Sequence, residues 1–485
     1  MRPHIRLAAL GLIGLGLLVA APQASRGDCD PVECARLLAS DAAAGDNFGN
    51  AVAVSGSTAV IAAVYDDHAG GTDAGSAYVF VRSGGTWIEQ AKLTAADAAA
   101  FDYFGSSVCI SGDTVVIGAS RDDPGGAPGA GSAYVFVRSG GLWTQQAKLT
   151  ASDAAPNDYF GRCVSISGET VVIGADRADH AGGIDAGAAY VFVRSGAIWT
   201  QRAKLTSFDA APGDYFGHSV SVSGDTAIIG AYCDDQWSWT NAGSAYVFVR
   251  SGGNWTQQSR LTAPDAAAYD QFGFSVCLFG ETALIGAYAD DNAGGADAGS
   301  AYVFVRSGTS WTQQAKLTAS NAAAGDSFGY SVSLTGDTAV IGAYTDDHAG
   351  GTDAGSAYVF VRSGTSWAQQ ANLAASDAAP GDRFGVSVSA SDDWIVIGAD
   401  LADNAGKSNT GSAYVFDRSC QTLGDLNCDG TVNTADISAF VLALLDPAEY
   451  ADQYPLCSVG RADMNQDGAV DGRDVQLFVT ALVGP

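Results

Sequence analysis

The stretch FGSSVCISGDTVVIGA, residues 104–119, decides the fold because near-copies of it recur along the chain. Its Phe-Gly pair returns seven times at a constant spacing of 56 residues. A fixed period of this length is typical of repeat proteins, in which each unit buries apolar surface against its neighbours. The phenylalanines of the repeat are Phe48, Phe104, Phe160, Phe216, Phe272, Phe328 and Phe384.

One unit, residues 104–158, contains four short runs with strand character. SSVCISGDTVVIGA holds two runs separated by a tight turn at residues 111–113, SAYVFVR is the third and WTQQAKL is the fourth. The apolar residues show no helical period. Seven units of four short strands predict an all-β fold, a seven-bladed β-propeller.

The two ends of the repeat array complement each other. Tryptophan marks the fourth strand of six units, from Trp87 to Trp367, but the last unit has none. Before the first Phe-Gly, CARLLASDAAAGD at residues 34–46 aligns with QAKLTAADAAAFD at residues 90–102. We therefore expect this N-terminal segment to supply the fourth strand of the last blade, which closes the ring and removes an exposed edge.

The same alignment brings two cysteines to the closure. Cys420 and Cys29 occupy consecutive turn positions of a complete unit, so they are predicted to lie within disulfide reach. We expect a Cys29–Cys420 disulfide; the alternative is a local pair between Cys29 and Cys34. The other repeat cysteines are interpreted as buried free thiols: Cys109, Cys163, Cys233 and Cys277.

Residues 1–27 are predicted to be a secretory signal peptide. Arg2 and Arg6 precede an apolar run from Leu7 to Ala21 that is short for a membrane span. The mature protein is therefore expected to be secreted, extracellular or at the cell surface. Its net charge of −29, with only five glutamates among 53 acidic residues, disfavours nucleic acid and anionic membranes as partners.

The repeated FG..SV..SGDT.VIGA run and the later GSAYVF resemble the FG-GAP repeat of bacterial secreted proteins, and more distantly the propeller of integrin α chains. The likeness covers roughly residues 34–420, and we assign residues 28–420 to the propeller. Integrin blades that bind calcium carry an acidic loop between their first two strands. This chain has only SGDT or SGET there, so those calcium sites are not expected.

Aspartates recur on one face of the predicted propeller, in the loops after the second and fourth strands, which form an acidic loop face. Two interpretations remain open: a ring of cation sites or basic-ligand contacts, and turn caps that bond backbone N–H groups. The second is favoured because a folding device is needed in every blade. The same loops hold His68, His180 and His348, which are too far apart to form a metal cluster. The aspartates are Asp67, Asp123, Asp179, Asp235, Asp291, Asp347 and Asp403, and before each Phe-Gly Asp46, Asp102, Asp158, Asp214, Asp270, Asp326 and Asp382.

The fourth blade breaks the repeat with the loop CDDQWSWTNAG, residues 233–243. Exposed aromatic rings suit sugar rings or apolar side chains, so this loop is a predicted ligand site. The alternative is that its tryptophans fold over and fill the local loop. The predicted site consists of Trp237 and Trp239 with Phe208, Tyr215 and Tyr269 on the same face.

Beyond the repeats, DLNCDGTVNTAD and DMNQDGAVDGRD share the pattern of a calcium loop. Oxygen ligands stand at positions 1, 3, 5, 7, 9 and 12, and glycine at position 6 allows the sharp turn. Two copies predict two calcium ions. The first ligand set is Asp425, Asn427, Asp429, the Thr431 carbonyl, Asn433 and Asp436. The second is Asp463, Asn465, Asp467, the Ala469 carbonyl, Asp471 and Asp474.

Each calcium loop leads into an amphipathic helical pattern, and this arrangement resembles a type I dockerin over residues 424–485. The resemblance implies a small helical module that folds on calcium and docks onto a cohesin domain. Cys428 and Cys457 are then expected to form a disulfide across the linker between the loops. The recognition positions hold the unmatched pairs Thr434-Ala435 and Gly472-Arg473, which disfavours symmetrical docking. The expected apolar faces are Ile437, Phe440, Val441, Leu444 and Leu445, and Val475, Phe478, Val479 and Leu482.

These features favour a secreted, non-catalytic binding or adhesion protein. Its propeller is expected to present the acidic loop face to a carbohydrate or an extracellular protein, while the dockerin-like module tethers it. A carbohydrate-active enzyme is the first alternative, although no glutamate or histidine stands out in a loop that breaks the repeat. A purely structural extracellular spacer is the second alternative.

Overall fold

The computed structural model describes residues 30–83, 86–236, 239–418, 424–427, 432–454, 462, 464 and 470–483. Within residues 30–418, twenty-eight strands form seven antiparallel sheets of four strands. The predicted seven-bladed β-propeller is therefore confirmed. The predicted signal peptide lies outside the described residues. No helix in the described ranges has the length and apolar character needed to cross a membrane.

Blades 1 to 6 are each continuous in sequence, whereas blade 7 combines both ends of the repeat array. Blade 1 contains β2 Phe48–Ser55, β3 Thr58–Ala63, β4 Ser76–Ser83 and β5 Thr86–Leu93; blade 2 contains β6 Phe104–Ser111, β7 Thr114–Ala119, β8 Ser132–Ser139 and β9 Leu142–Leu149. Blade 3 contains β10 Val164–Ser167, β11 Thr170–Ala175, β12 Ala188–Ser195 and β13 Ile198–Leu205; blade 4 contains β14 Ser219–Ser223, β15 Thr226–Ala231, β16 Ser244–Ser251 and β17 Asn254–Leu261. Blade 5 contains β18 Ser275–Phe279, β19 Thr282–Ala287, β20 Ser300–Ser307 and β21 Ser310–Leu317; blade 6 contains β22 Ser331–Thr335, β23 Thr338–Ala343, β24 Ser356–Ser363 and β25 Ser366–Leu373. Blade 7 contains β26 Ser387–Ala390, β27 Trp394–Ala399, β28 Ser412–Asp417 and β1 Val32–Leu37.

The first strand of each blade lies at the centre of the molecule. β2, β6, β10, β14, β18, β22 and β26 contact one another in a closed ring. The second and third strands carry the apolar residues that are buried on both faces, whereas the fourth strand is partly exposed at the periphery. The residues at the start of each first strand therefore lie close to the propeller axis.

Each phenylalanine of the Phe-Gly pairs fills the space between two blades. Phe104 is fully buried and meets Tyr134 and Phe136 edge-on, with ring centroids 5.5 and 6.0 Å apart. It shares an apolar cluster with Val79 of the preceding blade. The glycine is required by the backbone: Gly49 has φ +99°, and a Cβ there would lie 2.3 Å from the Ser412 carbonyl oxygen. The pair therefore belongs to the repeated scaffold that joins neighbouring blades.

The N-terminal strand closes the ring as predicted. β1 pairs antiparallel with β28, with Val32 opposite Asp417. Glu33 accepts hydrogen bonds from Ser376 of blade 6, at 2.9 Å from the backbone N–H and 2.8 Å from the hydroxyl. Arg36 forms an ion pair with Asp377. Closure is therefore held by backbone pairing within blade 7 and by side chains that reach blade 6.

The repeat cysteines are free thiols, in agreement with the sequence, although they are only partly buried. Cys163 accepts a hydrogen bond at 3.3 Å from the backbone N–H of Val220 in the next blade, and Cys277 accepts one at 3.2 Å from Leu334. Cys34 is exposed and has no disulfide partner among the described residues. The four cysteines of the two predicted disulfides, Cys29, Cys420, Cys428 and Cys457, lie outside the described ranges.

The described part of the C-terminal module contains three helices, α1 Asp436–Leu445, α2 Pro447–Gln453 and α3 Asp474–Val483. Phe440 of α1 and Phe478 of α3 stack with ring centroids 3.9 Å apart and form the centre of its core. Tyr450 of α2 closes this core and donates a hydrogen bond of 3.1 Å to the Leu426 carbonyl. The module is therefore a small helical domain of the predicted kind.

The expected apolar faces of α1 and α3 are only partly covered. Phe440 and Phe478 are buried, but Ile437, Val441 and Leu445 are 43%, 46% and 75% exposed. On α1 the residues buried beside Phe440 are Ala439 and Ala443. The larger apolar residues lie on an outer surface, made of Ile437, Val441, Leu445, Val475, Leu477 and Val479.

Candidate ligand site at the mouth of the central channel

The recurring aspartates of the acidic loop face cap turns. In every blade the loop aspartate after the second strand accepts a hydrogen bond from the backbone N–H six residues later, as Asp67 does from Asp73 at 2.8 Å. The aspartate before each Phe-Gly accepts one from the N–H three residues earlier, as Asp46 does from Ala43 at 2.6 Å. The favoured structural interpretation is therefore confirmed.

The recurring histidines also tie down loops. Nδ1 of His68 accepts from the Gly70 N–H at 2.9 Å, and Nε2 lies 3.0 Å from the Gly75 carbonyl. His180 and His348 repeat this arrangement. Among the residues that the structure describes, no cluster of three or more histidine, cysteine, aspartate or glutamate side chains could hold a metal ion.

The repeated arginines join neighbouring blades on the opposite face. Nη1 of Arg250 donates to the hydroxyl of Thr170 in the preceding blade at 3.2 Å, and Nε donates to Asp225 of its own blade at 2.6 Å. The aspartate of the SGDT turn is thus the partner of an arginine. The contact between blades 7 and 1 differs from the others, because blade 7 has Trp394 at the position of this threonine. The guanidinium group of Arg82 lies over the ring of Trp394, 4.5 Å from its centroid.

A cavity in the described part of the propeller is lined at several positions whose residue type varies between blades. This cavity of about 690 Å³ opens at the end of the central channel, in the middle of the acidic loop face. Its wall includes the residue directly after each Phe-Gly pair, which the ring of first strands directs toward the axis. These seven residues are Asn50, Ser106, Arg162, His218, Phe274, Tyr330 and Val386.

This variation was the sequence signal that pointed to the site. The residues on either side of the position after Phe-Gly are nearly constant, whereas the position itself holds a different residue type in all seven blades. The sequence prediction considered only the loop of blade 4 and not this position of the first strands. Because the first strands surround the axis, the seven differing residues, which are far apart in sequence, line one surface.

Aromatic rings and guanidinium groups form a continuous arc around the mouth, which we call the stacked arc. Arg121 lies between Tyr103 and Tyr159, at 5.1 and 5.5 Å from their ring centroids. Arg177 continues the pattern between Tyr159 and Tyr215, at 5.1 and 5.6 Å. The arc comprises Tyr65, Tyr103, Arg121, Tyr159, Arg177, Tyr215, Tyr232, Phe274, Tyr330, Tyr344 and Arg383.

From Tyr215 to Tyr344 the stacked arc consists of aromatic rings alone, and it ends at the guanidinium group of Arg383. Tyr215 stacks on Tyr232 with ring centroids 5.6 Å apart and planes at 15°. Phe274 meets Tyr232 at 5.4 Å and Tyr330 at 4.9 Å. These rings are half-buried, so each keeps part of its surface open to the cavity.

Polar groups gather beside these rings at the axis. Nδ1 of His218 lies 3.0 Å from Oδ2 of Asp176, and Nε of Arg162 lies 3.8 Å from the same oxygen. Burial lowers the pKa of His218, and its hydrogen bond with Asp176 opposes that effect. The other carboxylate oxygen, Oδ1 of Asp176, is buried and has no hydrogen-bond partner. A buried acceptor without a donor is rare and indicates a site for a further group.

Asp400 of blade 7 supplies a second acceptor of the same kind. The residue is 8% exposed, lines the cavity, and has no hydrogen-bond partner for its Oδ1. Burial raises its pKa to about 6, although the nearby Arg383 opposes that shift. Arg162, Asp176, His218, Tyr330 and Asp400 together form the axial polar cluster.

The predicted aromatic site of blade 4 is only partly assembled. Tyr215 belongs to the stacked arc and lines the cavity. Phe208, Trp239 and Tyr269 are 76%, 47% and 58% exposed, and in the described part of the chain no ring contact joins them. Trp239 pairs with Gln236 through two backbone hydrogen bonds, at 3.0 and 2.7 Å. Trp237 lies outside the described residues, so ligand binding by this group stays a prediction.

The described parts of the two calcium loops have equivalent architecture. Asp436, at position 12 of the first loop, is fully buried and accepts from the N–H groups of Leu426, Asn427 and Asn433 at 2.7, 2.9 and 2.9 Å. Asp474 takes the same position in the second loop, is also fully buried, and accepts from Asp471 at 2.8 Å. Buried carboxylates among oxygen donors fit a hard divalent cation.

The two ligand sets are described to different extents. In the first loop the structure describes Asp425, which is buried, with Asn427, Asn433 and Asp436. In the second it describes Asp471 and Asp474. The remaining predicted ligands lie outside the described residues: Asp429, Thr431, Asp463, Asn465, Asp467 and Ala469.

Comparison with known families agrees with this architecture. The FG-GAP repeat matches seven times, at residues 31–80, 87–136, 143–192, 199–248, 255–304, 311–360 and 367–416. The type I dockerin domain matches residues 423–482. No curated protein matches the chain. Each FG-GAP match begins in the fourth strand of one blade and ends in the third strand of the next, so the first match begins at the closing strand β1.

The two matched families have known binding properties and a typical location. Type I dockerin domains bind calcium and generally bind cohesin domains, and both kinds of domain are typical of extracellular proteins. The FG-GAP matches together cover more than half of the chain. The chain therefore belongs to the FG-GAP repeat family and carries a type I dockerin domain after its seven-bladed propeller.

Proposed function

We propose that this is a secreted, non-catalytic binding protein whose propeller holds a carbohydrate or an extracellular protein at the centre of its acidic loop face. One observation carries the proposal: half-buried rings, guanidinium groups and carboxylate oxygens without a hydrogen-bond partner among the described residues converge on a cavity of about 690 Å³, at positions whose residue types vary between blades. That volume falls in the range of about 300–1,000 Å³ that is usual for ligand sites. The repeated charged residues, in contrast, are engaged in turns and blade contacts.

The dockerin domain provides the tether in this proposal. Its outer surface exposes Ile437, Val441 and Leu445 on α1, and Val475 and Val479 on α3. Exposed apolar side chains that recur along a helix are typical of an interaction surface. Two calcium ions, one in each loop, would hold the helices in place, and a cohesin domain is the partner that we propose for the surface.

A carbohydrate-active enzyme is the second candidate, and one observation favours it. His218 is a non-repeating histidine whose Nδ1 lies 3.0 Å from Oδ2 of Asp176. A carboxylate in this position can orient an imidazole for proton transfer. Incubation of polysaccharides with the protein, with measurement of new reducing ends, separates the candidates. Turnover that is lost in a His218→Gln variant would favour the enzyme, and no turnover on bound polysaccharides supports the binding protein.

The binding proposal is tested with the whole chain on arrays of glycans and extracellular proteins. We expect specific retention of at least one ligand class, and the same retention after calcium is chelated, because the propeller contains no proposed calcium site. Binding of a cohesin domain by the same protein should be lost on chelation. Absence of any propeller ligand across both arrays would contradict the binding function and favour the structural spacer.

A further inference from the structure

We propose that the mouth of the central channel is a binding site for a neutral sugar residue, with hydroxyl groups bonded to Asp176 and Asp400 and a ring face against Phe274 and its neighbours. This proposal rests on the proposed binding function and assigns its site and ligand class. The site differs from the loop of blade 4 around Trp239.

The unpartnered carboxylate oxygens require donors from the ligand. Oδ1 of Asp176 and Oδ1 of Asp400 are both buried, both belong to residues that line the cavity, and neither has a hydrogen-bond partner. They come from blades 3 and 7, on different sides of the axis. A ligand that satisfies both must carry donors on more than one edge, as the hydroxyl groups around a pyranose ring do.

The charges around the axis favour a neutral ligand. Asp176 and Asp400 supply two carboxylates, with Arg162 near the first and Arg383 near the second. Arg121 and Arg177 line the same cavity, but their guanidinium groups are held between tyrosine rings of the stacked arc. An anionic ligand would bring its charge beside the carboxylates, and a cationic ligand would bring its charge beside the arginines. A polyol instead donates to the carboxylates and accepts from the arginines, so both sets of groups are satisfied.

The rings provide the apolar part of the site. Tyr232, Phe274 and Tyr330 are half-buried neighbours with centroid distances of 5.4 and 4.9 Å, and all three line the cavity. The apolar C–H face of a pyranose packs on such aromatic surface while its hydroxyl groups remain at the edge. The cavity volume of about 690 Å³ accommodates a short saccharide.

The test measures binding of neutral methyl glycosides by isothermal titration calorimetry on the whole protein. The comparison ligands are galacturonate, arginine and phenylalanine, which are anionic, cationic and zwitterionic. We expect binding of at least one neutral glycoside, and at least about a tenfold weaker affinity in each of Asp176→Asn and Asp400→Asn. Preference for a charged or zwitterionic ligand would overturn the assigned ligand class.

Matched variants separate this site from the blade 4 loop. Trp239→Ala changes an exposed residue of the blade 4 loop that does not line the cavity, and it should leave the dissociation constant within about twofold of wild type. Loss of binding in Trp239→Ala, with wild-type affinity in Asp176→Asn and Asp400→Asn, would overturn the site while leaving the proposed binding function intact.

A measurement on the wild-type protein tests the site without relying on variants, which could fail to fold. The chain has five histidines, so the imidazole signals of His218 can be resolved by nuclear magnetic resonance. Titration with the bound glycoside should shift the signals of His218 and leave those of His68, His180 and His348 unchanged. Saturation binding without a shift at His218 would overturn the assignment. Failure of all glycosides and of both arrays would contradict the site and the proposed function together.

Discussion

His218 of blade 4 and Asp176 of blade 3 are joined across the blade boundary, with Nδ1 of the imidazole 3.0 Å from Oδ2 of the carboxylate. Both side chains are nearly buried, at 9% and 7% exposed. Every other blade has a different residue at the position of His218. The pair therefore belongs to the specific chemistry of this molecule and not to its repeated scaffold.

The lowered pKa of His218 predicts that this residue makes the protein less stable in acid. The imidazole is neutral in the folded state, whereas in the unfolded chain it takes up a proton below its ordinary pKa of about 6.5. Its contribution to stability is thus present above that pH and is lost as the pH falls. Urea denaturation of wild type and His218→Gln at pH 8 and pH 5 should show a smaller stability difference at pH 5. An equal difference at both values would show that His218 does not titrate in this way.

Asp400 has the opposite dependence on pH. Its pKa is raised to about 6 in the folded protein, so the folded state binds the proton more tightly and is relatively favoured in acid. The penalty for the buried charge appears as the pH rises through about 6. Asp400→Asn should therefore raise the free energy of unfolding by roughly 2–3 kcal/mol at pH 8 and by little at pH 4. The contradicting result is a variant that is less stable than wild type at pH 8.

The Cys29–Cys420 disulfide stays a prediction, because both cysteines lie outside the described residues. The last described pair of the closure is Val32 opposite Asp417, and each of these residues is three positions in sequence from one of the cysteines. Peptide mapping without reduction should recover this cross-link, and its removal should cost about 2–4 kcal/mol of stability. Recovery of a Cys29–Cys34 peptide would establish the local alternative.

Calcium should order the dockerin domain. Asp436 and Asp474 are fully buried acids at equivalent positions of the two loops, so a bound cation would balance their charges. Titration with calcium should increase the helical signal in circular dichroism, with two ions bound per chain by native mass spectrometry. Asp436→Ala should reduce this number to one and weaken cohesin binding. Two bound ions in that variant would contradict the assigned first site.

The sequence predicted the scaffold well because the scaffold is what repeats. Strand number, ring closure, the role of Phe104 and the turn caps such as Asp67 all follow from local patterns that occur in every blade. The channel mouth was missed because Arg162, His218, Phe274 and Tyr330 are far apart in sequence, and only the propeller geometry brings them together. The exposure of Ile437, Val441 and Leu445 on α1 could not be predicted, because periodicity identifies an apolar face but not which part of it is covered.

The most direct measurement replaces the non-repeating axial residues with the residue that blade 2 uses at the same position. Arg162, His218, Phe274 and Tyr330 are all changed to serine, as at Ser106, which makes the ring of first strands more uniform. Far-UV circular dichroism and the melting transition then check that the propeller is still folded. The account predicts a folded protein that has lost its propeller ligand on the arrays and still binds cohesin. A folded protein that retains wild-type affinity for the propeller ligand would contradict it.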